Sequence, residues 1–356
     1  MAAATGRRKT GSMKKPPSAP GYAALAFSAG YTALGIAWAL GAPGFPWGSG
    51  DPDPDGRLSL LAGLDPGPGG WLVAAFAALA GATALALLGA DGRSRVPLWF
   101  AWPIAAFLAV LVPDARLLSA MAYTPLLVFA PRLDGPIGQA GVGDAWPWPV
   151  VNQVVCLSGG LLLARAALAY RRRRQALGGP AGRDNTWTAP DSAARWGRRA
   201  VLVAVAVPLF YCATRWAWAL GIPLGVSREF LELSDKDAPG MLAVGAYLGG
   251  VGALGGLLTL GLVQRWGEVF PRWMIGLRGR RVPVLLAVVP AGLVAVVVTV
   301  AGQTFIRQTL AGHFELAQWG VWLPEWFWPL WGAALGAAAL AYHLRRRGEQ
   351  VPGPAA

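Results

Sequence analysis

The chain has 356 residues, of which 55% are hydrophobic and only 14% charged, and its mean hydropathy is +0.45. A soluble domain of this length needs far more polar surface, so a water-soluble enzyme or regulator is excluded and a membrane protein is left. The net charge of +13 does not point to nucleic acid, because the arginines fall between apolar blocks, where they act as anchoring charge on cytoplasmic loops.

A bilayer core roughly 30 Å thick needs about 20 apolar residues at 1.5 Å each. In chain order, apolar segments of that kind fall at 21–41, 71–90, 97–113, 148–170, 200–221, 241–263, 282–301 and 325–344. The first is no cleaved signal peptide: it runs into Trp38 and GAPGFPWG instead of a small-x-small cleavage site. Between the segments the charges alternate. Arg7, Arg8, Lys9, Lys14 and Lys15 precede the first, Arg93 and Arg95 follow the second, and Arg171–Arg174, Arg183, Arg195, Arg198 and Arg199 follow the fourth. Arg265, Arg272, Arg278, Arg280 and Arg281 follow the sixth, and Arg345–Arg347 the last. The other loops carry Asp51, Asp53, Asp55 and Asp65, or Glu229, Glu232, Asp235 and Asp237. The positive-inside rule therefore predicts a multi-pass plasma-membrane protein with both termini cytoplasmic. The expected fold is an all-α transmembrane bundle of about eight spans. It divides into a basic tail (1–19), a four-helix unit (20–170), a basic linker (171–199), a second four-helix unit (200–344) and a C-terminal tail (345–356). The tail and the linker lack apolar periodicity and are expected to be mobile.

The two units read as tandem copies. AWALG at 37–41, in the frame YTALGIAWALGAPG, returns at 217–221 in YCATRWAWALGIPL. Gly41 and Gly221 can take the left-handed position that ends a helix, and Pro43 and Pro223 prevent continuation. Trp38 and Trp218 are then expected at headgroup level, half in lipid and half in water. GRSRVP at 92–97 echoes GRRVP at 279–283, WP recurs at 148 and 328, and ALAY recurs at 167 and 339 before arginine runs. Four spans per copy make the two copies parallel, not inverted. The stretches 116–133 and 306–322 are long and partly apolar without making confident spans, and are expected to lie in the interface or to re-enter the bilayer; the Trp-rich run WGVWLPEWFWPLW reads as an interfacial anchor.

Motif by motif, chemistry is scarce. GVGALG at 250–255 matches GxGxxG but lies inside an apolar span without a strand before it, so Gly245, Gly249, Gly252 and Gly256 read as a helix-packing stripe. DPDPDG at 51–56 begins like a calcium loop but has Ala62 where a bidentate Glu belongs, and reads as a solvated acidic turn. The basic loop LGADGRSRVP at 88–97 has a topological role. His313 and His343 have no nucleophile–acid company, and two cysteines and two histidines are too few for a metal framework. No catalytic residue, metal or cofactor is expected, and Cys156 and Cys212 read as buried free thiols.

Arg215 stands apart. It lies about six residues from the end of the fifth segment, where a guanidinium costs at least a few kcal/mol unless something polar meets it. The first copy has Gly35 at the equivalent place. Tyr211, Arg215 and Trp218 share one helix face at i, i+4 and i+7, so cation–π contact is available. No acid is expected at matching depth; Asn152 and Gln153, in the outer turns of the fourth segment, are the nearest polar candidates, with Asp114 and Glu325 toward the outer edge. These five residues, Arg215, Tyr211, Trp218, Asn152 and Gln153, form the candidate ligand site; the other reading of Arg215 is a structural partner within the protein. Its partner class is an anionic lipid or small anion in the bilayer.

Over YCATRWAWALGIPLGVSREF and QRWGEVFPRW together, the chain resembles a group of uncharacterised multi-pass membrane proteins of actinobacteria. The resemblance implies the topology and brings no activity with it. The sequence therefore predicts a non-enzymatic membrane protein that binds or transports a small anionic or amphiphilic molecule. The alternative is a regulator or scaffold with a basic cytoplasmic face.

Overall fold

The structure, a computed structural model, describes residues 19–51, 58–89, 94–129, 141–177, 186–272 and 274–346. The basic tail, most of DPDPDG, Asp91 and Arg347 lie outside the described residues. Among the described residues the fold is helical with no β-strand, only an isolated antiparallel bridge between Val269 and Arg281. The helices are α1 (Ala19–Ala39), α2 (Pro66–Gly89), α3 (Val96–Ala106), α4 (Ala115–Phe129), α5 (Trp148–Leu177), α6 (Pro190–Ala219), α7 (Arg228–Asp237), α8 (Met241–Leu260), α9 (Val284–Leu310), α10 (Trp319–Trp326) and α11 (Trp328–Arg346).

Six of them, α1, α2, α5, α6, α8 and α9, are long and apolar enough to cross a membrane. The expected third and eighth segments differ. α3 ends in a π-helical stretch, Phe107–Leu111, because the chain turns at Pro113 and restarts as α4, whose first turn is capped by Asp114 Oδ1 accepting from Arg116 N at 2.9 Å. α3 and α4 together are bent by 51°, so they form one broken span or a re-entrant pair, and the stretch 116–133 is helical as far as Phe129. α11 begins at Trp328, not 325, and its last turn carries His343, Arg345 and Arg346, which lowers its apolar content. The linker also departs from expectation: α5 runs on to Leu177 and α6 starts at Pro190, so 171–177 and 190–199 are helical extensions of spans.

The two AWALG copies end their helices in the same way. Gly41 has φ +94° and Gly221 φ +75°. In both, the glycine N–H returns to the tryptophan carbonyl (3.0 and 2.9 Å) and the next residue bonds the alanine before it: Ala42 N to Ala37 O at 2.9 Å and Ile222 N to Ala217 O at 2.8 Å. This is the paired hydrogen-bond arrangement of a Schellman stop. The ALAY copies match as well, since buried Tyr170 OH donates to Ser94 O at 2.9 Å and buried Tyr342 OH donates to Gly267 O at 2.7 Å, each tying a helix end to the loop after its unit's second helix.

Helix pairing follows one pattern twice. In the first half α1 lies on α2 and on α5, and α3 lies on α5; in the second half α6 lies on α8 and on α11, and α9 lies on α11. Close approach depends on glycine. A Cβ on Gly35 would meet Ala74 N at 2.6 Å, so α1 and α2 touch backbone to backbone. In the second half the stripe on α8 faces α6: Gly245 and Gly249 lie against the stem of Arg215, Gly252 against Cys212 and Gly256 against Pro208. The halves meet where α4 and the π-helical stretch pack on α9. Gln303 Nε2 donates to Val110 O at 3.3 Å, Arg307 Nη2 to Leu58 O at 3.1 Å and Tyr247 OH to Ala122 O at 3.3 Å. The loops after α1, α6 and α9 therefore gather at one end, termed the upper end, with the arginine-rich segments at the other.

Candidate functional site

Arg215 is 9% exposed and sits where the shared helix face placed it, with its guanidinium carbon 4.5 Å from the Tyr211 ring centroid and 4.3 Å from that of Trp218. Its charge is met inside the protein. Nη2 forms an ion pair with Glu325 Oε1, Nη1 donates to Gly320 O at 2.9 Å, and Thr214 Oγ1 lies 3.4 Å away. Glu325 is 1% exposed. The expectation that no acid reaches the depth of Arg215 is thus corrected: Glu325 belongs to α10, a short helix that packs against α9 and α6 and ends one residue before α11. Within the Trp-rich run Trp328 and Trp331 are buried, Trp328 packing on Tyr211 and Phe305, while Phe327 and Leu330 are exposed. Trp38 and Trp218 are also inside the protein instead of open to headgroups; Trp38 packs on Tyr31, Phe45 and Trp47, and Trp218 Nε1 donates to Leu224 O at 2.9 Å.

Above this pair lies a hollow of about 820 Å³ lined by Ser227, Phe230 and Gln318 together with Glu229, Asp237 and Glu315. Carboxylates on that approach repel an anion, and Arg215 is already neutralised. The charged residues that line the hollow are all acidic, and Arg215 is paired with Glu325.

Asn152 and Gln153 serve two other places. Asn152 Oδ1 accepts from Tyr31 OH at 2.6 Å, and Cys156 Sγ lies 3.6 Å from the same hydroxyl, all three side chains being buried. Gln153 binds Asp114 twice, from Nε2 to Oδ2 at 2.9 Å and through Oε1 to the Asp114 N–H at 3.1 Å. Asp114 is 0% exposed and pairs at 2.9 Å with Arg116, which reaches Asp51 at 2.8 Å. Asp51 therefore lies in a buried salt bridge instead of a solvated turn. Sequence reasoning missed Arg116 and Glu325 as buried ions. The signal for Glu325 was present, since it is the sole acid between Glu315 and Glu349; nothing in the spacing marks Arg116.

Tyr31 and Cys156 are among the residues that line a second cavity, a slot of about 490 Å³ in the first half. Its walls are apolar: Phe27, Val73, Phe76, Ala77, Ala80, Phe107 and Leu108 from the helices, with Trp47, Leu61 and Leu64 from the upper loop. Leu72 and Leu79, which also line it, are exposed on the surface of α2, where the helix is apolar enough to face lipid. Cys156 and Cys212 are both free and buried. Among the described residues no group of three His, Cys, Asp or Glu side chains is arranged to hold a metal ion. Compared with known proteins, the chain matches no family, no curated protein and no solved structure.

Proposed function

We propose that the chain is a non-enzymatic plasma-membrane protein that binds or moves an amphiphilic molecule, with the apolar part of that molecule in the slot of the first half. The observation that carries this reading is the slot: about 490 Å³ with apolar walls, bordered by a helix whose exposed face is hydrocarbon-compatible. Solvent beside α2 in a bilayer is hydrocarbon, so a lipid tail or the apolar body of an amphiphile is what reaches it. The neutralised Arg215 favours an amphiphile over a small anion.

The same proposal includes eight crossings in two parallel quartets, with α3–α4 as a broken third crossing and α11 as the eighth, and both termini cytoplasmic. Support comes from the matched helix stops, the matched tyrosine tethers, the repeated pairing pattern and the arginines of the lower loops. A regulator or scaffold with a basic lower face is the second reading; Arg171–Arg174 support it, and their neutralisation would abolish a scaffold's phenotype while leaving lipid binding intact.

The slot is tested by filling it. Ala75 lines the cavity and is exposed, so Ala75→Trp narrows the slot without disturbing the core. Native mass spectrometry of the wild type in mild detergent is expected to show a retained lipid adduct, and Ala75→Trp is expected to lose it at unchanged melting temperature. An adduct of equal occupancy in both proteins sinks the reading.

A further inference from the structure

Between α8 and α9 the chain builds an arm over residues 261–283, where the corresponding loop of the first half is only 90–95. Its stem is closed by backbone bonds from Val282 N to Glu268 O at 2.9 Å and from Phe270 N to Arg280 O at 3.0 Å. Leu262 and Val282 are buried, and α11 holds the stem through Tyr342 OH to Gly267 O, Arg345 Nη2 to Leu262 O at 2.6 Å, and Arg345 paired with Glu268 at 3.3 Å. The tip turns through Gly276 (φ +85°) and Gly279 (φ +73°), a conformation that costs little only for glycine.

What the tip presents is unusual for a loop so well tied. Ile275 is 99% exposed, more than any other large apolar side chain among the described residues, and Leu277 is exposed beside it. Arg272, Arg278 and Arg280 are exposed too, and among the described residues no carboxylate is paired with any of the three. A fully bare isoleucine with exposed arginines on either side of it in the chain is complementary to a surface that is anionic at its face and apolar beneath. Both roots of the arm are ends of helices apolar enough to cross a membrane, so headgroups are its nearest neighbours.

We propose that this arm docks on anionic phospholipid of the adjoining leaflet, with Ile275 and Leu277 entering the acyl boundary and Arg272, Arg278 and Arg280 bonding the phosphates. The inference rests on α8 and α9 being spans and is independent of the slot. To test it, the full chain carrying Ile275→Cys is labelled with an environment-sensitive fluorophore; Cys156 and Cys212 are buried, and unlabelled wild type serves as the control. Resistance to alkaline extraction first establishes that the labelled protein is inserted, so a failure of the span reading is seen separately. In nanodiscs of phosphatidylcholine plus phosphatidylglycerol the emission is expected to shift to the blue, and in pure phosphatidylcholine to stay largely aqueous. Each of Arg272→Gln, Arg278→Gln and Arg280→Gln is expected to weaken the docked state roughly fivefold. Aqueous emission in both membranes overturns the proposal, as does a shift that appears only when a polyglutamate peptide is added, which would assign the arm to an acidic protein.

Discussion

At one position the two halves take opposite solutions. Tyr31 and Trp38 in α1 match Tyr211 and Trp218 in α6, but between them stands Gly35 in one half and Arg215 in the other. Glycine lets α2 come into backbone contact, and what remains beside it is a neutral cluster, Tyr31–Asn152–Cys156, under an open apolar slot. Arginine requires room, which Gly245 and Gly249 of α8 provide, and a counter-charge, which α10 delivers as Glu325. One frame thus keeps a cavity on one side and a closed ion pair on the other.

The largest effect that separates them is expected at the ion pair. Glu325→Leu leaves Arg215 buried without its partner and should cost about 3–5 kcal/mol, seen as lost yield or a sharply lowered melting temperature in detergent. Arg215→Met with Glu325→Leu should recover most of that loss, since two apolar side chains remove the uncompensated charge; failure to recover would mean the pair does more than balance itself. Next comes Gly35→Leu, whose first side-chain carbon meets Ala74 N at 2.6 Å and whose overpacking should cost about 1–3 kcal/mol. No such penalty is expected in the double variant, because α8 already stands off from position 215. The smallest effect probes sameness: Gly41→Ala and Gly221→Ala each force a Cβ into a left-handed stop and should lower stability by about 1 kcal/mol. Unequal losses would break the equivalence of the two helix ends.

Much of this was readable along the chain. The stops at Gly41 and Gly221, the α8 glycine stripe and the ring–guanidinium–ring face of α6 follow from local rules of backbone geometry and helical spacing, so they needed no tertiary knowledge. The partner of Arg215 was not readable, because a count by helical rise places Glu325 at the outer edge of its own segment and does not say that α10 packs against α6. Trp38, Trp218 and Trp328 have the composition of interfacial anchors, yet loop residues meet the first two and the helix residues Tyr211 and Phe305 meet the third. Asp51, Asp114 and Arg116 meet only because the loop after α1 folds over the break at Pro113, a long-range arrangement that residue spacing does not encode.

The separation of Arg215 from Glu325 along the chain, 110 residues, also sets an order of assembly. At a ribosomal pace of about 5–20 residues per second, α6 is delivered roughly 5–20 s before its neutralising carboxylate exists. During that interval the nascent second half holds an unbalanced cation that must stay near water or at the insertion machinery, whereas the buried charges of the first half, Asp51, Asp114 and Arg116, emerge within 65 residues of one another.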